Sequence, residues 1–171
     1  LLIAEIGGNH EGDFDYANKL LDLAINSKAD VIKFQIYNPK TLVNPKFDSK
    51  RFEHFKKFTL EPYQHIELAE KCLQNNKKYL ASVWDVESIE WIDEFCKFYK
   101  IGSGDLTAYQ IIDRIIQTKK PLIISTGLSN DKQINSTIQY IQSKEKLYTQ
   151  KNMIALLQCT SNYPNPYGEV N

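Results

Sequence analysis

The sequence has 171 residues, of which 42% are hydrophobic and 25% are charged, so it is long enough to bury a core and is typical of a globular domain. Lysine and arginine number 21 together, as do aspartate and glutamate, and this balance lacks the basic excess of a nucleic-acid-binding surface. No apolar run is long enough to cross a bilayer, and the three widely spaced cysteines fit neither a zinc site nor a disulfide framework. We therefore expect a protein of the reducing cytoplasm.

Strands and helices are predicted to alternate along the chain. Runs rich in β-branched and aromatic residues predict strands at residues 2–6, 31–36, 79–82, 98–101, 121–125 and 153–158. Apolar residues at helical spacing predict helices at about residues 13–28, 50–58, 62–75, 85–95, 109–118 and 131–143. Asp13 or Asp15 is the expected N-cap of the first helix, and Thr59 that of the third.

This regular alternation predicts parallel βα units. No GxGxxG motif follows the first strand, so the dinucleotide-binding fingerprint is absent. Polar residues instead occur at or just beyond the C-terminal ends of the strands, namely Glu5, Lys33, Gln35, Ser82, Lys100, Ser103, Ser125 and Ser161. A (β/α)8 barrel collects its active site there from many strands, whereas a doubly wound sheet uses mainly its switch point. The prediction is an α/β fold of the TIM-barrel type, with the first six βα units present.

Two lysines in predicted strands suggest an anion site. Lys33 and Gln35 share the face of the second strand that would point into the barrel, and Lys100 repeats the pattern in the fourth strand. Gly102, Ser103 and Gly104 follow Lys100 and would let backbone N–H groups approach a ligand closely. A lysine ammonium about 4 Å from an anion contributes on the order of 4 kcal/mol at an effective dielectric constant of about 20. A small, multiply charged anion is therefore expected, although lysines that snorkel to the rim are the alternative.

Five motifs occur in order over nearly the whole chain. They are AEIGGNHEG (residues 4–12), VIKFQ (31–35), KIGSGD (100–105), ISTG (124–127) and CTSNYP (159–164). Together they resemble the N-acetylneuraminate (sialic acid) synthase family. The resemblance implies a (β/α)8 barrel followed by a small antifreeze-like domain, so residues 1–171 are expected to be a partial TIM-barrel synthase domain cut from a longer protein. It also implies the condensation of phosphoenolpyruvate with an N-acetylated amino-sugar aldehyde such as N-acetylmannosamine, which yields a nonulosonic acid and phosphate.

The resemblance assigns roles to individual residues. Lys33 and Lys100 would hold the phosphate and carboxylate of phosphoenolpyruvate, and Glu5 would be an acid/base or orienting carboxylate. Further contacts to the same ligand are implied for Ser82, Ser103, Ser125 and Ser161, and contacts to the sugar for Gln35, Asp105 and Tyr163. The third strand reads Ala-Ser-Val-Trp-Asp at residues 81–85, where the family often has Ser-Thr-Pro-Phe.

The resemblance also implies a cofactor and a partner. A divalent metal, Mn or Mg, would be held by two histidines beyond Asn171, and the full-length protein would be a homodimer. Within this sequence, Asp105 could instead cap the following helix, and His10 could either shape its loop or contact substrate. His54 and His65 are expected at the surface. The alternative functions are a non-catalytic phosphate- or sugar-binding barrel fragment and an aldolase-type barrel that uses Lys33 or Lys100 as a Schiff base.

Overall fold

The computed structural model describes residues 1–170, and Asn171, the last residue of the predicted domain, lies outside them. The chain forms two compact units, of which the first comprises Leu1–Lys97 and the second begins at Phe98. In each unit, strands that follow one another along the chain pair in parallel, with helices between them. The predicted alternation of strands and helices is therefore confirmed.

The first unit contains three strands. These are β1 (Ile3–Gly7), β2 (Val31–Ile36) and β3 (Lys78–Val83). Its helices are α1 (Phe14–Ile25), α2 (Pro39–Leu42), α3 (Ser49–Phe58), α4 (Pro62–Gln74) and α5 (Val86–Ile92), followed by a 3-10 turn at Asp93–Phe95. β2 lies between β1 and β3 and pairs with both in parallel, as crossover connections through helices require.

The second unit repeats the pattern. Its strands are β4 (Tyr99–Ile101), β5 (Leu122–Ser125) and β6 (Ile154–Leu157), and its helices are α6 (Tyr109–Gln117) and α7 (Asp131–Lys144). Three short 3-10 segments occur at Ser103–Asp105, Lys146–Thr149 and Tyr167–Glu169. β5 pairs in parallel with both β4 and β6.

Successive residues of β2 point to opposite faces of the strand. Phe34 is fully buried and lies on the helix side, where its ring stacks on Tyr79 at 5.8 Å and meets His65 of α4 edge-on at 6.3 Å. Lys33 and Gln35 therefore lie on the opposite face. This is the arrangement that the sequence pattern predicted for the strand.

Three local expectations are wrong. α1 ends at Ile25 rather than near residue 28, because Asn26 and Ser27 turn back and donate side-chain hydrogen bonds to Asp22 O and Ala24 O. The N-cap of α4 is Glu61, whose N–H donates to Gln64 Oε1 at 2.8 Å. Thr59 instead donates its hydroxyl to Phe55 O at the end of α3.

The third correction concerns His65, which is 2% exposed and not a surface residue. Its position was available from helical spacing, since His65, Leu68, Ala69 and Cys72 form one buried stripe of α4. His54 is exposed, as predicted. Within residues 1–170, no helix combines the length and the apolar character that a membrane span needs.

Candidate active site

Glu5 and Lys33 form the centre of the first polar cluster. They lie opposite each other in the register of β1 and β2, and Lys33 Nζ donates to Glu5 Oε2 at 2.6 Å. Lys33 is 5% exposed, whereas the Glu5 side chain is 52% exposed. The buried ammonium thus has the anionic partner that burial demands, and one side of the carboxylate remains open. This contact suits Glu5 for orienting Lys33.

Gln35 and Ser82 lie one step closer to the C-terminal ends of the strands and are opposite each other in the register of β2 and β3. Ser82 is 5% exposed, and within residues 1–170 neither its hydroxyl nor the Gln35 amide has a hydrogen-bond partner. Gly7 leaves room beside them: it has a φ of 57°, and a Cβ atom there would lie 2.9 Å from Glu5 Oε1 and 3.5 Å from Gln35 Nε2. Polar groups that the protein leaves without a partner can donate to or accept from a ligand.

In the second unit, Lys100 and Ser125 begin a second polar cluster. Lys100 Nζ donates to Ser125 Oγ at 2.5 Å and to Ile101 O at 2.9 Å. Ser125 is the last residue of β5 and is 6% exposed. Because its oxygen accepts from an ammonium, its own hydroxyl proton is directed elsewhere, and it reaches no other group in the described part of the chain.

Ser103, like Ser125, accepts a hydrogen bond from the protein through its side-chain oxygen. Its Oγ accepts a hydrogen bond from the N–H of Gly127 at 3.1 Å, which leaves the Ser103 hydroxyl proton free to donate to a ligand. Ser161, in the loop after β6, approaches the same glycine, since a Cβ on Gly127 would lie 2.6 Å from Ser161 Oγ. Residues that follow β4, β5 and β6 therefore meet at one point. Hydroxyl groups arranged as donors beside a lysine suit an anionic ligand.

Asp105 and Tyr163 were predicted to contact sugar. The Asp105 carboxylate folds back over Gly102, where a Cβ would lie 2.8 Å from Asp105 Oδ2. The N-cap of α6 is Ala108, without a side-chain cap, so the alternative role of Asp105 as the cap of that helix is wrong. Tyr163 is 94% exposed in the loop after β6. Its contact with sugar remains a prediction.

His10 shapes the loop that follows β1. It is 2% exposed, and its Nδ1 accepts from the N–H of Gly12 at 3.0 Å. Burial lowers the pKa of His10, which favours the neutral ring that can accept this bond. Of the two roles considered for His10, the contacts support the one within the loop.

The predicted site residues thus form two clusters, one in each unit. The first cluster consists of Glu5, Lys33, Gln35 and Ser82, and the second consists of Lys100, Ser103, Ser125 and Ser161. Sequence reasoning missed the two glycines that shape them, Gly7 and Gly127, although a glycine at or just after the end of a predicted strand is a usable signal. Across the residues described, no group of three or more His, Cys, Asp or Glu side chains could hold a metal ion.

Polar side chains gathered at the C-terminal ends of parallel strands are typical of proteins of the βα-barrel class. Residues 20–171 match the model of the NeuB family, and the chain belongs to this family. Among curated relatives, the N,N'-diacetyllegionaminic acid synthase of Campylobacter jejuni is 33% identical and is matched over 100% of this chain and 54% of its own length. The human N-acetylneuraminate-9-phosphate synthase is 29% identical, over 99% and 49%. The predicted resemblance to sialic acid synthases is confirmed.

A solved structure gives the same result for the fold. The N-acetylneuraminic acid (sialic acid) synthetase of Leptospira borgpetersenii, in complex with citrate, superposes with a TM-score of 0.88 at 26% identity, covering 99% of this chain and 57% of that one. The predicted fold class, α/β with βα units of the TIM-barrel type, is therefore confirmed. The chain spans about half the length of the curated relatives it matches.

Proposed function

We propose that the protein containing this chain is a nonulosonic acid synthase, which joins phosphoenolpyruvate to an N-acetylated amino-sugar aldehyde such as N-acetylmannosamine and releases phosphate. The observation that carries the proposal is the second cluster. There, Ser125 accepts from Lys100 and Ser103 accepts from the N–H of Gly127, so both hydroxyls present protons to a ligand. Family membership supplies the reaction class.

In this proposal, Lys33 and Lys100 bind the phosphate and carboxylate groups of phosphoenolpyruvate. Ser82, Ser103, Ser125 and Ser161 donate hydrogen bonds to the same ligand. Hydrogen bonds to charged groups are the strong ones, and the burial of Lys33, Ser82 and Ser125 strengthens them further, because less water competes for the anion. That the related Leptospira structure is a complex with citrate, itself a small polyanion, is in keeping with this assignment.

The proposed reaction of bound phosphoenolpyruvate forms one carbon–carbon bond and breaks one carbon–oxygen bond. A carbon–carbon bond forms between C3 of phosphoenolpyruvate and the aldehyde carbon, and the aldehyde oxygen takes a proton. The cationic C2 then takes water, and the bond between C2 and the phosphate oxygen breaks, which releases phosphate and leaves a keto acid. Positioning and charge stabilisation by the lysines and hydroxyls are the contributions of this chain. Glu5, with one side open, is the candidate to accept the proton from water.

Gln35, Asp105 and Tyr163 are proposed to contact the sugar. The half-buried Gln35 amide lies beside the Glu5–Lys33 pair, as the space at Gly7 shows, and it can both donate to and accept from a sugar substituent. We also propose that the full-length protein is a homodimer and is located in the cytoplasm.

A divalent metal, Mn or Mg, is proposed to be held by residues outside this chain. The described residues supply no ligand set for it. When bound, such a metal would polarise a carbonyl oxygen as a Lewis acid.

The ion pair of Lys33 argues against the Schiff-base alternative at that residue. A lysine nucleophile needs an unprotonated amine, whereas Lys33 lies 2.6 Å from the Glu5 carboxylate, which favours its ammonium form. Borohydride trapping with a carbonyl substrate would produce a stable adduct only if that alternative were correct.

The test is a double-mutant cycle in the full-length protein. We expect the wild type to form a nonulosonic acid and release phosphate from phosphoenolpyruvate and N-acetylmannosamine. Lys33→Ala and Lys100→Ala should each lower kcat/KM roughly a hundredfold, about 3 kcal/mol. The combined loss should be less than the sum, because both are proposed to bind one ligand. Lys28→Ala, an exposed lysine of the first unit, is the matched control. Wild-type kinetics in both lysine variants would contradict the proposal.

A further inference from the structure

Gly127 lies where the loops after β4, β5 and β6 meet. It is buried, and its N–H donates to Ser103 Oγ at 3.1 Å. A Cβ atom on Gly127 would lie 2.6 Å from Ser161 Oγ, 2.8 Å from Ser103 Oγ and 3.2 Å from Ser103 Cβ. Both hydroxyl oxygens therefore occupy space that any other residue at this position would claim.

The backbone at Gly127 does not itself require glycine. Positive φ angles among the glycines occur at Gly7 and Gly12, and Gly127 is not in that region. Alanine could adopt the same backbone conformation without strain. Glycine is needed here because it has no side chain, which leaves room for the hydroxyl oxygens of Ser103 and Ser161.

The hydrogen bond from Gly127 also fixes the direction of the Ser103 hydroxyl. A serine oxygen that accepts from a backbone N–H must send its own proton away from that donor. The hydrogen bond from Gly127 thus holds the Ser103 oxygen in place and directs its proton away from Gly127. Ser125, which accepts from Lys100, presents its proton in the same way.

We infer that Gly127 is a positioning residue of the anion site, which holds Ser103 and Ser161 so that both donate to the phosphoenolpyruvate anion. The inference rests on the proposed function for the identity of this ligand. It assigns two roles to the Ser-Thr-Gly segment at the end of β5: Ser125 binds the anion, and Gly127 positions the hydroxyls of Ser103 and Ser161.

The predicted consequence of Gly127→Ala is loss of ligand affinity with retention of the fold. The displaced atoms are mainly the ends of two serine side chains, which can rotate away from the new methyl group at little cost to the folded state. Rotation removes them from the ligand. We expect the dissociation constant and the KM for phosphoenolpyruvate to rise about ten- to hundredfold, as for the loss of hydrogen bonds to a charged group, while kcat changes less.

The experiment measures phosphoenolpyruvate binding by calorimetry, steady-state kinetics and thermal unfolding in the full-length protein. The matched control is Gly168→Ala in the same unit, where a Cβ would meet nothing within 4 Å; it should bind like the wild type. A cycle with Ser103→Gly separates positioning from general damage. With Ser103 reduced to glycine, two of the three atoms nearest to the added methyl group are gone, so Gly127→Ala should weaken binding less than it does in the wild-type background.

The outcomes are distinct. A wild type that binds no phosphoenolpyruvate would overturn the proposed function and this inference together. A wild type that binds, with Gly127→Ala binding equally well, would overturn the inference alone. If Gly127→Ala lowered Tm strongly and weakened binding by the same factor with and without Ser103, its role would be structural, and the inference would be wrong. Weaker binding at an unchanged Tm, relieved in the Ser103→Gly background, supports it.

Discussion

Among single residues, His65 is expected to make the first unit less stable in acid. Its Nδ1 lies 3.0 Å from the hydroxyl of Tyr79, and its ring is 2% exposed between α4 and the strands. Burial, and to a smaller extent the nearby His10, lowers the pKa of His65 from 6.5 to about 3. The folded protein therefore holds this imidazole neutral at pH values where the unfolded chain would protonate it.

The pH dependence of stability follows from this difference. Above pH 6.5 the ring is neutral in both states, so its contribution to stability is fully present. As the pH falls from 6.5 towards 3, the unfolded chain binds a proton that the folded chain does not, and the free energy of unfolding falls by up to about 1.4 kcal/mol per pH unit from this group. Urea unfolding at pH 7.5 and 5 should show a smaller acid loss for His65→Gln than for the wild type.

His54→Gln is the control for this prediction. His54 is exposed on α3, so its replacement removes one histidine without removing a buried neutral ring. An acid loss that is the same in the wild type and His65→Gln would show that His65 is not the group responsible.

The sequence showed which residues belong to the candidate site more readily than which of them contact each other. A lysine within a strand pattern is unusual enough to mark Lys33 and Lys100 from the sequence. The partners Glu5 and Ser125 depend on strand register and side-chain reach, which a single sequence does not contain. The role of Gly127 depends on the contact between the loops that follow β4, β5 and β6. The ISTG motif lies at the end of β5 and carries no information about the loops after β4 and β6.

At the scale of elements, α3 is fastened to the loop that follows β1. A Cβ on Gly12 would lie 1.8 Å from the carbonyl oxygen of Lys57, and one on Gly8 would lie 3.7 Å from the Phe58 ring. Lys57 Nζ also lies 3.8 Å from Glu11 Oε2. The long connection between β2 and α4 is thus held against the C-terminal end of β1, beside the first cluster.

Gly12→Ala should release this contact. Gly12 has a φ of 82°, which is unfavourable for alanine, and the new methyl group would collide with backbone that cannot rotate away. We expect a loss of at least about 2 kcal/mol in the free energy of unfolding, measured by urea unfolding. Limited proteolysis at the lysines of α3 should become faster.

Gly168→Ala serves again as the control, because the same substitution meets open space there. If both variants unfolded at the same urea concentration and α3 remained equally protected, the proposed attachment of α3 would be disproved.

Elements with a strong pattern were predicted well, and short ones were not. β2 was placed correctly because both of its faces are apolar except at Lys33 and Gln35. α3 was predicted from its aromatic residues, whereas its N-cap Asp48, which accepts from the N–H of Arg51, was not. α2 was missed, since a single turn at Pro39–Leu42 has no periodicity to detect.

At the scale of the whole molecule, β6 is the exposed end of the second unit. It pairs with β5 on one side, and Leu156 and Leu157 are 47% and 38% exposed. An exposed strand edge with apolar side chains favours association with another chain. We expect residues 1–171, expressed alone, to associate in a concentration-dependent way and to lack synthase activity.

Leu156→Lys should reduce this association, because a charge on an edge strand opposes pairing. Analytical ultracentrifugation of the same segment would measure it. Leu23→Lys is the control, as Leu23 is 70% exposed on α1, away from β6. Equal association in all three proteins, or measurable condensation by the isolated segment, would contradict the prediction.

The fold class was predictable because alternating strands and helices leave few parallel topologies to choose from. The prediction that a ligand binds at the C-terminal ends of the strands followed from the fold class, because the active sites of βα barrels lie there. The identity of the acceptor sugar did not follow, because the fully exposed Tyr163 and the folded-back Asp105 form no pattern that distinguishes one sugar from another.

The serines of the second cluster have one further consequence. Ser103 and Ser125 each accept one hydrogen bond from the protein, Ser103 from the Gly127 N–H and Ser125 from Lys100. Each hydroxyl keeps its own proton and one further lone pair. A fully ionised phosphate or carboxylate can accept both protons, whereas an ammonium group has no lone pair and can accept neither. We therefore expect the second cluster to favour ligands that are rich in acceptors over ligands that only donate.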